Sequence, residues 1–332
     1  MKVAIIFGGA GYIGSFLVKR FIEIKRFDKI YVFDLNIKPF FDIQFKEGRL
    51  EFLKGDVRNP IEISINEKID LDASWIFNLA AVHREPGHEF NEYFDTNIAG
   101  ATNINEFAIS NGFKNIFFTS SIAPYGKSLE ARNETSNLYP ETAYGISKAL
   151  CEKIHEKWLA GDSSRKLIIV RPSVIFGPGD PGNVFRMIKG IKRGSFVLPN
   201  GGNVVKGYGY IYGLLDSINF TMSKEENFII YNYAENPLQN LRGMVDIVKD
   251  ELKYRKPTFS IPVRFLSFVA FFIQIIFKLL GKKTDIHPVR VRKAGFPTYI
   301  VPKYLIDNNF EFKYDFRSAL KHWTDESPKD FE

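Results

Sequence analysis

Apolar residues along this chain fall into short unbroken runs, separated by stretches whose apolar positions recur at helical spacing. The first run, "VAIIF" at residues 3 to 7, has no polar interruption. That is the pattern of a strand buried on both faces. "SFLVKRFIEI" follows, with Phe16, Leu17, Phe21 and Ile24 on one helical stripe. Further strand-like runs are "KIYVFDLN", "LEFLKGDV", "ASWIFNLAAV", "NIFFTSSI" and "KLIIVRPSVIF", with helical patterns between most of them. Repeated strand–helix alternation predicts an α/β fold, a doubly wound parallel sheet that presents its ligand site at the carboxyl ends of the strands.

Between the first strand and the first helix lie Gly8, Gly11 and Gly14, spaced G-x-x-G-x-x-G. In a strand–turn–helix context these predict a phosphate-binding turn. Gly8 permits the tight turn, Gly11 lets the backbone approach a pyrophosphate, and Gly14 lets helix and strand pack closely. The helix N-terminus adds free N–H groups and a partial positive charge. A basic residue before an apolar run also fits a secretion signal, but no small-residue cleavage site follows it. Asp34 closes the second strand, twenty residues after Gly14. An acid there accepts from the adenosine ribose hydroxyls and repels a 2′-phosphate, which favours NAD(H) over NADP(H). The plainer reading is a solvated loop aspartate.

"AYGISKALCEKI" places Tyr144 and Lys148 four residues apart on one helix face. A phenol ordinarily loses its proton near pH 10. A neighbouring ammonium and an oxidised nicotinamide ring stabilise the phenolate, so such a tyrosine can take a proton from a sugar hydroxyl. The pair alone is a weak signal, since tyrosine and lysine at this spacing are commonly surface residues.

Three features together say more: the glycine turn at the start of the chain, "TSSIAPYG" after a buried strand, and Tyr144 some two dozen residues past Ser121. Here the sequence resembles the extended branch of the short-chain dehydrogenase/reductase superfamily, the nucleotide-sugar epimerases and dehydratases. The resemblance is good over roughly residues 1–215 and looser beyond. It implies a Rossmann domain at 1–175 carrying Ser121, Tyr144 and Lys148. It further implies a smaller α+β substrate lobe, mainly 176–332, with some elements returning to the Rossmann core. Ser121 would hydrogen-bond the reacting oxygen and Tyr144 would move its proton. Lys148 would hold the nicotinamide ribose and tune Tyr144. Gly8, Gly11, Tyr12, Ile13 and Gly14 would line the pyrophosphate of NAD, with Asp34 on the ribose. Asp56 and Val57 would border the adenine, and Ala80 and Ala81 the middle of the cofactor. Asn97 matches the family's asparagine on the helix behind the site. Asn183 opens what resembles the substrate-lobe helix and is expected to meet substrate. Arg292, in "HPVRVRKAGF" with Arg290 and Lys293, stands near the expected clasp on a nucleotide diphosphate; arginines on a solvated face are the alternative.

The expected reaction begins with hydride transfer from a sugar carbon to NAD while Tyr144 removes the hydroxyl proton. A 4,6-dehydratase of this family carries Asp-Glu beside the serine, where this chain has Ile122 and Ala123, so dehydration is disfavoured. The fucose-type epimerase-reductases use a cysteine near the serine. The sole cysteine here, Cys151, lies three residues past Lys148 and is expected to be packed. Epimerisation and net oxidation or reduction stay open. "VHREPGHEFNEYF" departs from the familiar patterns, and His83 or Arg84 within it is a candidate substrate contact, a polar surface loop being the alternative. Its spacing does not suggest a zinc site. The family's paired aspartates after the lobe helix are replaced by Gly213 and Leu214 in "GYGYIYGLLDSI".

Composition adds limits. The chain has 332 residues, 45% of them hydrophobic, so a large core needs no disulfide, and one cysteine can form none within the chain. A reducing, cytoplasmic location is expected. Net charge is +7 without a block of like charges, a preference for anionic small molecules or surfaces and no nucleic-acid footprint. Residues 265–277, "FLSFVAFFIQIIF", carry no charge and are too short for a bilayer, which needs about 20 residues. They predict a helix buried in the lobe or an oligomer interface, or one lying peripherally on a membrane surface. A homodimer through the Asn97 and Tyr144 helices is expected from the resemblance. Two other classes share these residues: membrane-associated hydroxysteroid-type or sterol-decarboxylating dehydrogenases, and a non-catalytic dinucleotide sensor.

Overall fold

The structure is a computed structural model that describes residues 1–36, 48–65, 68–83, 87–281 and 295–332, with side chains at 278 and 279 left aside. Its strands are β1 (Val3–Phe7), β2 (Lys29–Asp34), β3 (Leu50–Lys54), β4 (Trp75–Asn78), β5 (Asn115–Thr119), β6 (Lys166–Pro172), β7 (Val174–Phe176), β8 (Val197–Pro199), β9 (Tyr208–Tyr210), β10 (Phe228–Tyr233) and β11 (Phe259–Ile261). The main helices are α1 (Tyr12–Glu23), α2 (Phe90–Ser110), α3 (Ala143–Ala160), α4 (Asn183–Arg193), α5 (Ile211–Met222), α6 (Leu241–Glu251) and α7 (Val263–Leu279). A short helix at Lys303–Asp307 and another at Phe316–Glu326 follow.

Seven strands form one parallel sheet in the order β10-β6-β5-β4-β1-β2-β3. Period-two alternation assigns each strand's side chains to one of two cores. Val3, Ile5 and Phe7 face a core shared with Ile104, Phe107, Cys151 and Trp158 of α2 and α3. Ala4 and Ile6 face the other, with Phe16 and Leu17 of α1, Leu214 and Ile218 of α5, and Trp323 near the C-terminus. Both faces are therefore covered, which is why the strands read as unbroken apolar runs. The direction of winding reverses between β1 and β4, so the crevice at their carboxyl ends is the topological switch point.

The run "KLIIVRPSVIF" forms two strands where one was expected. β6 leaves the main sheet at Pro172, and β7 pairs instead with β9 in a separate two-stranded sheet. Pro172 cannot donate to a ladder, so the chain changes partners there. β10 returns to the main sheet beside β6, while β8 and β11 make a second small sheet outside it.

Helix α7 departs from the expectation of a helix buried in the lobe. Phe265, Phe268, Phe271 and Phe272 are each about half exposed, at 47–60%, and Ala270 is the one core-buried residue among its described side chains. Among the described residues no helix is long and apolar enough to cross a membrane.

Candidate active site

The glycine turn is built by close approach. Gly8 has φ +77°, and a Cβ there would sit 2.7 Å from the backbone nitrogen of Ala80. A Cβ at Gly14 would meet the Gly8 carbonyl oxygen at 2.5 Å. Both distances are shorter than real Cβ contacts, so β1, α1 and the end of β4 meet only through glycine. The turn is tied by Gly11 donating to the Gly8 carbonyl at 3.1 Å. Helix α1 begins with Gly11 as its N-cap and no capping side chain, whereas Thr142 caps α3 and Asn240 caps α6. An uncapped N-terminus at a switch point is suited to an anion.

Asp34 ends β2 beside this turn, and its Oδ2 accepts from the Ala10 amide at 3.0 Å. The carboxylate thus braces the loop. Asp56 is turned toward Arg58, whose Nε donates to it at 2.8 Å, and this pairing holds its carboxyl below the usual range. Val57 is buried against α2: its carbonyl accepts from Asn103, and its side chain lies where a Cβ on Gly100 would be. Ala80 and Ala81 follow β4 and are half-buried.

Lys148 is buried in α3 and donates to the Thr119 carbonyl at 2.8 Å, with its ammonium 4.6 Å from the centre of the Phe118 ring. Burial pushes its pKa down to about 8, partly offset by Cys151 and Glu152. Thr119 ends β5 and leads directly to Ser121, whose Oγ accepts from the Ala123 amide at 3.1 Å. Gly145, next to Tyr144, packs so tightly on Ala123 that a Cβ would lie 2.8 Å from its carbonyl oxygen. The serine loop and the start of α3 are thereby brought together. Tyr144 lies partly buried with its ring centre 6.3 Å from that of Tyr93 on α2. Asn97 is buried; it receives the Val82 amide at 2.8 Å and donates to the Val82 carbonyl and to Ser147 Oγ, locking the loop after β4 to α3.

Other expected residues stand apart. His83 is exposed, and Asn183 is exposed at the start of α4 with its Oδ1 taken by Arg186 at 2.7 Å. Arg84 and Arg292, with Arg290 and Lys293, lie outside the described residues. Cys151 is packed: its Sγ contacts the Asn97 carbonyl oxygen at 3.1 Å and burial raises its pKa to about 11. Among the described residues no cluster of His, Cys, Asp or Glu could hold a metal.

Sequence reading missed a polar network behind the serine. Ser120 donates to Glu152 at 2.5 Å, Arg171 grips the same carboxylate at 2.9 and 2.7 Å, and Arg171 also donates to Tyr125. Tyr125 passes its proton bond to Asn232 on β10 at 2.8 Å. The signals were Arg171 inside an otherwise apolar strand and Glu152 one turn past Lys148. His155 was missed too. It bridges Asn105 and Asn78 at 2.7 and 3.0 Å, and burial pushes its pKa down to about 3.

A glycine turn at the switch point, with the serine loop and the start of α3 packed together at the end of β5, is the arrangement of an enzyme of the short-chain dehydrogenase/reductase type. The sequence profile of the NAD dependent epimerase/dehydratase family matches residues 4–234, and the chain belongs to that family. NAD is its cofactor, and the uncapped, glycine-lined turn beside Asp34 fits that group. The chain is 29% identical over 319 residues to an Escherichia coli O157:H7 protein named N-acetyl-alpha-D-glucosaminyl-diphospho-ditrans,octacis-undecaprenol 4-epimerase, covering 95% of this chain and 92% of that one. It is 26% identical to the decarboxylating sterol-4-alpha-carboxylate 3-dehydrogenase of Saccharomyces cerevisiae, over 87% of this chain and 86% of that one. In fold it is similar to the UDP-glucose 4-epimerase of Thermotoga maritima, at a TM-score of 0.72 and 19% identity, over 99% of this chain and the whole of that one.

Proposed function

We propose that this chain is an NAD-dependent 4-epimerase that inverts a ring hydroxyl of a sugar carried on a diphosphate. The observation that supports it most is the convergence of the Ser121 loop, the start of α3 and buried Lys148 on the carboxyl edge of β5, beside the glycine turn. Bound NAD supplies a reversible hydride acceptor next to the sugar ring. Gly8, Gly11, Tyr12, Ile13 and Gly14 would hold its pyrophosphate and Asp34 its ribose, with Asp56 and Val57 bordering its adenine and Ala80 and Ala81 its middle. Asn97 holds the loop after β4 in place. Tyr144 takes the proton of the reacting hydroxyl and returns it after the ring carbon has been inverted. Ser121 hydrogen-bonds the same oxygen. The ammonium of Lys148 favours the phenolate of Tyr144 and steadies the nicotinamide ribose. His83, Arg84, Asn183 and Arg292 are assigned to the sugar and its diphosphate. Ile122 and Ala123 have no group that moves a proton, so water elimination is disfavoured.

The carrier in this reading is a nucleotide. A polyprenyl carrier is a second reading, supported by the exposed apolar helix α7 and by the substrate in the E. coli relative's name. We place the chain in the cytoplasm as a homodimer through α2 and α3, with residues 265–277 in peripheral contact with a membrane. Exposed Ile109 and Leu150 on those two helices support the dimer.

The test is turnover of UDP-N-acetylglucosamine and of N-acetylglucosaminyl diphosphoundecaprenol by the purified chain, with the sugar product identified. Conversion to the C4 epimer without accumulation of NADH is expected for one carrier. Stoichiometric NADH, or turnover of a sterol carboxylate instead, would sink the epimerase reading.

A further inference from the structure

Residues 252–284 contain seven basic side chains, Lys253, Arg255, Lys256, Arg264, Lys278, Lys282 and Lys283, and no acid. The whole chain has 45 basic and 38 acidic residues, an excess of seven. The net charge of the protein therefore equals that of this one segment, and the remainder is balanced. The same segment holds α7, which turns its apolar side chains outward. Phe265, Phe268, Phe271, Phe272, Ile275 and Ile276 are 39–60% exposed. Phe268 and Phe272 touch, with ring centres 4.7 Å apart, so the row is continuous. Phe259, at the start of β11, is 62% exposed just upstream. Lys253, Arg255, Lys256 and Arg264 are all exposed, so these four cations, at and just before the start of the apolar row, face solvent.

We propose that α7 docks the chain on an anionic lipid bilayer, with the phenylalanine and isoleucine row in the acyl boundary and the flanking cations against the headgroups. Length agrees with this. Seventeen residues rise about 26 Å at 1.5 Å each, short of a hydrocarbon core of about 30 Å, so α7 lies in the interface plane and does not cross. Charge disfavours the obvious alternative. Two copies joined symmetrically through α7 would bring the exposed Arg264 at its first turn, with Lys253, Arg255 and Lys256 just ahead of it in the chain, toward their own like-charged copies. A zwitterionic surface offers phosphates but no net negative potential to draw the cations in. The inference deepens the membrane contact of the proposed function by naming the lipid charge, the inserted face and the order of attraction. It does not depend on which carrier bears the sugar.

Flotation of the full chain with NAD on phosphatidylcholine vesicles, with and without roughly one third phosphatidylglycerol, reads it directly. Binding to the anionic vesicles is expected, at least about 10-fold weaker on phosphatidylcholine alone or in about 0.5 M salt. Phe268→Glu with Phe272→Glu should abolish flotation while NAD still raises Tm, which separates loss of docking from loss of fold or cofactor site. Lys253→Glu with Arg255→Glu keeps the apolar row and should weaken anionic-vesicle binding at least about 10-fold. Equal partition to both vesicles, or none to either, would overturn the proposal. So would an oligomer in sedimentation velocity that the Phe268→Glu, Phe272→Glu variant dissolves while vesicle binding persists.

Discussion

Single side chains in this molecule act through what burial does to their charge. Tyr144→Phe removes one oxygen and leaves the glycine turn untouched. Turnover is expected to fall about 10²- to 10⁴-fold, with the NAD-induced rise in Tm unchanged. Loss of both together would mean that the tyrosine holds the site's shape and not its proton. His155 makes a separate case. Its Nδ1–H donates to Asn105 and its Nε2 accepts from Asn78, an arrangement that needs the neutral ring. Burial lowers its pKa from 6.5 to about 3. Between those values the unfolded chain binds more protons than the folded one, so stability is full above pH 6.5 and is lost as pH falls. Moving from pH 7 to pH 5 should cost about 2 kcal/mol from this residue. Urea unfolding at the two pH values checks it, and His155→Gln should show a shallower loss. Lys148 has the same sign in a higher window. Its charged form is disfavoured by burial, so its contribution improves as pH rises from about 8 toward 10.5.

Elements meet at places where their chemistry leaves little freedom. Helix α3 starts on Thr142, whose Oγ1 accepts from the Gly145 amide at 3.1 Å. That cap fixes where the helix begins and hence where Tyr144 and Lys148 sit. Thr142→Ala should cost about 1 kcal/mol in chemical unfolding and raise KM or lower kcat beyond what stability explains. Gly14→Ala is a sterner change, because its Cβ would fall 2.5 Å from the Gly8 carbonyl oxygen. Backbone must shift, and the NAD-induced Tm increase is expected to vanish while the sheet still folds. An unchanged thermal shift would place the pyrophosphate elsewhere. The departure at Gly213 also has an elemental explanation. The Tyr233 hydroxyl occupies the space a Cβ there would fill, at 2.1 Å, and itself donates to buried Glu235 at 2.8 Å.

Across the whole molecule, the Glu152–Arg171 pair joins the catalytic helix to β6 and, through Tyr125 and Asn232, to β10. Glu134 continues the link, accepting from the amides of Asn232, Lys303 and Tyr304. Arg171→Met leaves Glu152 buried without its counter-charge, keeping only the Ser120 hydroxyl, and should cost about 3–5 kcal/mol in urea unfolding. Adding Glu152→Gln should restore part of that loss; a double variant worse than the single one would show the two residues acting independently. By itself the amino-acid order determined the parallel sheet, the glycine turn and the Tyr144–Lys148 pair, because strand period, helix spacing and turn chemistry are local properties. The break at Pro172 was written in the same order, yet its consequence was not, since β7 pairs with β9 more than thirty residues away. Only the tertiary structure decided that Lys148 rests on Thr119, that Arg171 answers Glu152, and that α7 faces outward. Each depends on which distant segments meet, and an apolar helix reads identically whether protein or solvent lies against it.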